Sequence, residues 1–217
     1  YEWLPRAYGV GTGASGVLLS GVVLNAAFFG LSRALMQWLP ASAGLGTVAV
    51  AAGVLSAILA ALHAFQQDDW RRLLAFSSAE NASIAVTALG AALMFRADHH
   101  PELAALAWTV AMLHMGGHAL AKSGLFLCAD AVYRAGSRYA IAQNGWLRRA
   151  PWGFGVGALF CTMSLAAIPP QIGFASEWFV FQTLFQGFHL SEMPGRLVLA
   201  LAGAGIALTA AEIGRAS

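Results

Sequence analysis

The chain has 217 residues, of which 59% are hydrophobic and only 10% are charged, and its mean hydropathy is +0.66. Soluble domains carry roughly 25% charged residues, so this composition excludes a soluble globular protein, and the same hydrophobicity excludes a disordered one. The formal charge of +2 is too small to indicate a nucleic-acid-binding protein. The sequence therefore predicts an integral membrane protein.

Six hydrophobic stretches are long enough to cross a bilayer as helices, which takes ~20 residues. The predicted helices cover residues 12–36, 44–66, 74–95, 103–130, 152–186 and 196–213. They predict one all-α transmembrane domain over residues 1–217. The first residues lack an initiator Met and a basic leader, so no signal peptide is predicted, and the chain is expected to be a fragment or a split subunit.

The fifth stretch, residues 152–186, is too long for one straight crossing and contains Pro169, Pro170 and Gly173 near its middle. Proline removes a backbone donor and clashes with the preceding turn, which predicts a broken helix. Non-helical backbone at membrane depth has to be buried in protein or line a wet cavity, and this is typical of ion pathways in transporters. A simple kink without function is the alternative.

The fourth stretch carries a row of ionisable residues at intervals of four: His114, His118 and Lys122. This spacing places them on one face of a helix over ~12 Å of its axis. A charge near the bilayer centre costs at least ~2.5–3.5 kcal/mol, so the row should face protein or water. Histidine titrates near neutrality, and the three residues are predicted to pass a proton along the helix. Alternatively, Lys122 extends to the membrane surface and the histidines make interhelical hydrogen bonds.

Two carboxylates are further candidates for proton transfer. Glu177 follows the predicted helix break and needs a partner or water, so we expect it to act as a terminal proton acceptor. Glu80 lies near the start of the third stretch. Its two interpretations carry equal weight: an ion pair with Arg71 or Arg72 at the surface, or membership of the proton path.

The other ionisable residues are weaker candidates. Asp130, near Arg134 at the end of the fourth stretch, is typical of a solvated surface charge. His99 and His100 indicate an external loop, and because no third ligand stands at a telling spacing, no metal site is predicted.

Cys128 and Cys161 lie in apolar stretches, which favours small buried or lipid-facing residues over a disulfide. The sequence has no phosphate-binding loop, no paired-cysteine motif and no nucleophile elbow. A haem-binding bundle would need histidines that face each other from different helices, whereas His114 and His118 lie one turn apart on the same helix.

Arginine residues are concentrated in alternate loops, and such loops are retained in the cytoplasm. We therefore predict that loops 67–73 and 131–151 are cytoplasmic. The residues on this side are Arg6, Arg71, Arg72, Arg134, Arg138, Arg148, Arg149 and Arg215, against Arg33, Arg96 and Arg196 on the other.

Several motifs follow one another along residues 2–190. They are Trp3-Leu4-Pro5-Arg6-Ala7-Tyr8, Ser20-Gly21-Val22-Val23-Leu24, Gln67-Asp68-Asp69-Trp70-Arg71-Arg72-Leu73-Leu74-Ala75-Phe76-Ser77-Ser78, His114-x3-His118-x3-Lys122 and Pro169-Pro170-x2-Gly173-Phe174-x-Ser176-Glu177-Trp178. In these motifs the chain resembles the antiporter-like, proton-conducting membrane subunits of respiratory complex I, multisubunit cation/proton antiporters and membrane-bound hydrogenases. Ser78-Ala79-Glu80-Asn81 and Ser176-Glu177-Trp178 look most like the hydrogenase-4 and formate hydrogenlyase membrane subunit.

The resemblance implies a subunit of about fourteen helices in two inverted repeats with broken helices, of which this chain would be the second repeat. It implies that His114, His118 and Lys122 belong to a central row that carries protons, and that Glu177 ends it. It implies no bound cofactor or metal. The energy would come from partners, namely other membrane subunits and a peripheral iron-sulfur or hydrogenase-like arm, with the proton, or alternatively sodium, as the transported ion.

Some positions depart from the family pattern. Asn25 stands where the family usually has a Lys, Ala82-Ser83 replaces an apolar-Gly pair, and Gly116-Gly117 replaces Leu-Asn. The leading hypothesis is a proton-translocating membrane subunit of a redox-driven complex, either hydrogenase-4/formate hydrogenlyase-like or complex I-like. The alternatives are a subunit of a cation/proton antiporter or ion-coupled inorganic-carbon uptake system, and a non-conducting structural subunit, which Asn25 favours.

Overall fold

The protein is described here from a computed structural model that covers residues 3–136, 138–141 and 151–216, with side chains up to residue 209. Residues 142–150 of the predicted cytoplasmic loop, including Arg148 and Arg149, lie outside the described residues, as does the side chain of Arg215. The described part is built from helices, so the prediction of an all-α membrane protein is confirmed.

The helices follow the predicted order. They are α1 (Trp3–Val10), α2 (Gly13–Val17), α3 (Leu24–Arg33), α4 (Ala43–Ala64), α5 (Trp70–Ala97), α6 (Pro101–Gly136), α7 (Trp152–Leu165), α8 (Ile172–Phe185) and α9 (Met193–Ala216). Helices α2 and α3 are joined through a π-helical turn at Leu18–Val23, and a second π-helical turn at Ala34–Trp38 extends α3, so that together they form one span, Gly13–Trp38. That span, α4, α5 and α6 are each long and apolar enough to cross a bilayer.

The predicted break in the fifth stretch is present. Helix α7 ends at Leu165, α8 begins at Ile172, and Pro169 and Pro170 lie between them. The short helix α1 is absent from the predicted set, because its eight residues are too few to register as a span. It is held by the side chain of Tyr8, which is buried and packs on the ring of Phe126 at 5.1 Å.

Helix α5 lies at the centre of the domain and is the most buried of the four long spans. It packs closely against α4 through glycines. A β-carbon at Gly90 would lie 2.7 Å from the backbone nitrogen of Val50 and 2.9 Å from the carbonyl oxygen of Gly46. In lipid, where apolar surface drives association weakly, such close approach of small residues is a main source of helix pairing.

At one end of the bundle, the 65–69 connection meets the 138–141 segment. The Trp70 amide donates to the Tyr139 carbonyl and the Ile141 amide to the Asp68 carbonyl, both at 2.9 Å. The Arg71 guanidinium also donates to the Gly11 carbonyl at 2.8 Å, which brings the start of the first span to the same end. This grouping agrees with the alternation used to predict sidedness, although the cytoplasmic assignment itself stays a prediction.

Asp130 belongs to this end, and it is partly buried and hydrogen-bonded rather than fully solvated. Its Oδ1 accepts a hydrogen bond from the Gly13 amide at 2.7 Å and from the Tyr139 hydroxyl at 2.6 Å. The carboxylate thereby ties the last turns of α6 to the N-terminus of α2.

At the opposite end, the loop between α5 and α6 contacts the connection between α8 and α9. Asp98 accepts hydrogen bonds from the amide, at 2.7 Å, and from the hydroxyl of Ser191. The Ser191 hydroxyl is the main reason that the pKa of Asp98 lies below its usual value. His99 and His100 lie in this loop as predicted, and across the described ranges no cluster of His, Cys, Asp and Glu could hold a metal ion.

Candidate proton-transfer site

The row on α6 is buried along its whole length. His114, His118 and Lys122 are 2%, 5% and 0% exposed. Their four-residue spacing along an unbroken helix places them on one side, turned towards α5 and the broken helix. The opposite side of α6 is apolar and includes Leu120, which is 73% exposed.

Lys122 does not extend to the membrane surface. Its Nζ donates a hydrogen bond to the Ser77 hydroxyl of α5 at 2.8 Å, and its positive charge interacts electrostatically with Glu80. Ser77 and Glu80 are three residues apart on α5 and therefore share one face of that helix. An ammonium group away from water needs such partners, since an unpaired buried charge is very costly.

Glu80 is only 1% exposed and lies within the span, whereas one proposed partner, Arg72, is exposed. The other, Arg71, binds Asp69 instead, with Nη2 and Nε at 2.9 and 3.2 Å from its two carboxylate oxygens. Burial alone would raise the pKa of Asp69, but the hydrogen bonds and charge of Arg71 outweigh it and hold the pKa below its usual value. The surface ion pair predicted as one alternative for Glu80 is thus not formed with Arg71.

His114 connects α6 to the second half of the broken helix. Its Nδ1 lies 3.0 Å from the Ser176 hydroxyl oxygen of α8. Because the single hydroxyl proton of Ser176 is directed to the Gly173 carbonyl at 3.0 Å, Nδ1 of His114 is the donor in this contact. Glu177 follows Ser176 directly and is 8% exposed, so the carboxylate predicted to end the row is buried.

The break positions these groups through a close backbone contact. The Gly173 amide donates to the Ser164 hydroxyl at 3.3 Å, and a β-carbon on Gly173 would overlap the Ser164 carbonyl. Only glycine therefore allows α8 to start this close to the end of α7. The contact sets the distance of Ser176 and Glu177 from α6.

A cavity of about 510 Å³ runs along α5 on the side facing α6 and α7. Gln67, Trp70 and Ile141 line it near the loops at one end of the bundle, and Ser77 and Glu80 line it deeper in the span. Cys128 also lines it, and both it and Cys161 are free thiols, in agreement with the sequence. The cavity connects the loop end with the residues that contact Lys122.

Asn25, at the position where the resemblance implies a Lys, makes local hydrogen bonds. Its amide donates to the carbonyls of Ser20 and Gly21 at 3.1 and 3.2 Å. Both carbonyls belong to the π-helical turn at Leu18–Val23, where the regular hydrogen-bond ladder is interrupted. Asn25 thus satisfies backbone groups and supplies no charge to the row.

Sequence reasoning did not assign roles to Ser77 and Ser176, which contact Lys122 and His114. Serine in a membrane helix usually bonds the carbonyl one turn earlier, as Ser78 and Ser83 do here. The type of residue therefore carries no signal. Only the position of Ser77 in the Gln67–Ser78 motif and of Ser176 in the Ser176-Glu177-Trp178 motif could have marked them.

The structure is a helical membrane domain with a buried row of His and Lys. The row faces a carboxylate on a neighbouring helix and lies beside a broken helix. This combination defines the class of antiporter-like membrane subunits. The family described as "NADH:quinone oxidoreductase/Mrp antiporter, TM" matches residues 1–193, and the chain belongs to it. The predicted resemblance is confirmed.

The chain is similar to Hydrogenase-4 component B of Escherichia coli (strain K12), with 36% identity over 85% of the chain and 28% of that protein. It is similar to Formate hydrogenlyase subunit 3 of the same organism, with 30% identity over 97% of the chain and 35% of that protein. It thus spans about a third of the length of these curated relatives. The Mrp complex from Dietzia sp. DQ12-45-1b has a chain of similar structure, with a TM-score of 0.75 and 25% identity over 98% of this chain and 22% of that one.

Proposed function

We propose that this chain is the proton-translocating part of a membrane subunit in a redox-driven complex, hydrogenase-4/formate hydrogenlyase-like or complex I-like. The observation that carries the proposal is Lys122, which is fully buried, donates to Ser77 and interacts with Glu80. Ionisable residues in membrane spans are rare and mark ion pathways.

In the proposed mechanism, a charge movement elsewhere in the complex changes the electrostatic potential at Lys122. Nearby charges strongly affect whether a buried amine holds its proton, because the surrounding dielectric is low. A proton released from Lys122 passes to His118, one turn along α6, and then to His114. Glu177, adjacent to the serine that contacts His114, accepts it and releases it on the other side of the path.

Lys122 regains its proton from Glu80. This carboxylate lines the large cavity that reaches the loop end of the bundle. A proton entering there reaches Glu80 and then Lys122. The residues proposed for proton transfer are thus Glu80, Lys122, His118, His114 and Glu177.

The proposed setting follows from the relatives. Their printed names are those of hydrogenase and formate hydrogenlyase components, so the expected partners are other membrane subunits and a peripheral redox arm. We place the chain in the inner membrane of a prokaryote, with loops 67–73 and 131–151 in the cytoplasm. The support is the concentration of arginine in these loops.

The test replaces Lys122 in the assembled complex. Lys122→Ala should leave assembly and electron transfer intact and abolish proton translocation, measured as quenching of a pH-sensitive dye in inverted membrane vesicles. Leu120→Ala, on the exposed side of the same helix, is the matched control and should translocate normally. A Lys122→Ala complex that assembles and translocates protons at the wild-type rate would overturn the proposal.

A cation/proton antiporter subunit is the second candidate, because the Mrp complex chain matches the fold at a TM-score of 0.75. Sodium-dependent proton exchange in vesicles without an electron donor would favour it. If Lys122→Ala and Glu177→Gln both leave activity intact while deletion of the chain disassembles the complex, the non-conducting structural role replaces both.

A further inference from the structure

A second, much smaller cavity lies where the break between α7 and α8 meets α5 and α6. Its volume is about 10 Å³, and its polar lining comes from Asn81, His114, His118, Ser164 and Ser176. When the volume is the space open to the centre of a water molecule, roughly 10–15 Å³ is the smallest cavity that holds one water. The break, the α6 row and α5 all contribute to its wall.

His118 is the side chain in this wall that most needs a partner. Both of its ring nitrogens are buried, and among the residues that the structure describes neither makes a hydrogen bond. Neutral imidazole carries one donor and one acceptor, and buried polar atoms in proteins are nearly always hydrogen-bonded, to protein or to ordered water.

The neighbouring groups have the complementary capacity. The Asn81 amide nitrogen donates to the Ser77 carbonyl at 2.9 Å, which leaves its oxygen as an acceptor. The Ser164 hydroxyl oxygen accepts from the Gly173 amide at 3.3 Å, which leaves its proton to be donated. With the ring of His118, these groups give a water molecule three partners, and buried waters typically make two to four hydrogen bonds.

We propose that this cavity binds one water molecule, held by Asn81, Ser164 and the ring of His118. For its role the inference rests on the proposed function: the water accepts a proton from protonated His118 and releases one to His114, so it is unchanged overall. Asn81 and Ser164 are positioning residues, because they act by holding the water. The water joins the α6 row to the helix break.

The experiment fills the cavity. Ala121 lines it, so Ala121→Val places two methyl groups where the water would lie. Thr183→Val on α8 is the matched control, since Thr183 is equally buried but its hydroxyl donates to the Phe179 carbonyl, away from the cavity. In cryo-EM maps of the assembled complex, we expect a density peak between His118, Asn81 and Ser164 that is absent from Ala121→Val.

Translocation supplies the functional readout. Ala121→Val and Ser164→Ala should each lower proton translocation at least about tenfold, which is less than the ~10²–10⁴-fold that a proton-transfer group itself contributes, with electron transfer retained. Adding Ala121→Ser to Ser164→Ala returns a hydroxyl to the same cavity and should restore most of the loss. A purely structural role of Ser164 would not be rescued in this way.

A failure of the water site and a failure of the proposed function give different results. If Lys122→Ala blocks translocation but Ala121→Val and Ser164→Ala translocate at the wild-type rate, the water site is refuted and the proposed function stands. Absence of the density peak in the wild-type complex refutes the site equally. If Lys122→Ala itself translocates normally, the proposed function fails first.

Discussion

Removal of the Ser77 hydroxyl tests the environment of Lys122 without changing any charge. In Ser77→Ala, the ammonium of Lys122 loses the acceptor that lies 2.8 Å from its Nζ. A hydrogen bond to a charged group contributes ~1.5–3 kcal/mol. A buried group that loses this bond also incurs its desolvation cost, because no water replaces the lost partner. Since 1.36 kcal/mol corresponds to tenfold in rate, proton translocation should fall by about 10- to 100-fold if the charged form of Lys122 lies on the path.

The assay is dye quenching in inverted vesicles containing the whole complex, with electron transfer recorded in the same preparation. Ser83→Ala is the matched control on α5, because the Ser83 hydroxyl donates to the Ala79 carbonyl at 2.7 Å, within its own helix. We expect Ser83→Ala to translocate within about twofold of wild type, since loss of such a local bond is nearly neutral. Wild-type translocation by Ser77→Ala, or an equal loss in both variants, would refute the reasoning.

Three further predictions concern stability. Asp98 has a lowered pKa, so its contacts with Ser191 stabilise the loop end above pH ~4 and are lost as the pH falls through the lowered value. The hydrogen-exchange protection factors of residues 186–192, which correct for the slower intrinsic exchange at low pH, should fall on acidification in wild type and should already be low at neutral pH in Asp98→Asn. Ala167 has φ 49°, in the left-handed region, which costs ~1–2 kcal/mol for a residue other than glycine. Glycine itself costs ~0.5–1 kcal/mol through its greater backbone freedom, so Ala167→Gly should raise the free energy of unfolding by about 0.5–1 kcal/mol. An unchanged or lower thermal midpoint would contradict this. Gly90→Val should destabilise the α4–α5 contact by about 1–3 kcal/mol or more and impair assembly, whereas Gly30→Val, where a β-carbon meets nothing within 4 Å, should not.

The local features of the site were readable from the sequence because they depend on spacing along one helix. His114, His118 and Lys122 share a face whatever α6 packs against, and Pro169-Pro170 breaks a helix in any surroundings. Hydrophobic length likewise indicates where membrane spans lie without any knowledge of tertiary contacts. None of these inferences needs knowledge of which helix neighbours which.

Partners across helices could not be read in the same way. For Glu80, the sequence offered an ion pair with the neighbouring Arg71 or Arg72 as one of two interpretations, but its electrostatic partner, Lys122, is on another helix. Asp130 accepts from Gly13, 117 residues away, although its sequence neighbours indicated a solvated position. Such contacts depend on the register between helices, which close packing at small residues determines and single-helix periodicity does not contain.

The register between α5 and α6 explains why the Ser77–Asn81 segment of α5 and the His114-x3-His118-x3-Lys122 row of α6 belong together. The short loop around Asp98 makes the helices antiparallel, so that ascending positions on α5 meet descending positions on α6. Ser77 accordingly contacts Lys122, while Asn81, four residues later on the same face, lines the small cavity with His118. A one-residue insertion in α5 between Asn81 and the loop would rotate that face by about 100° and separate the Ser77–Lys122 pair. The Ser-Ser-Ala-Glu-Asn segment is therefore the complement of the His-x3-His-x3-Lys row, and a chain that keeps only one of the two motifs would bury ionisable groups without partners.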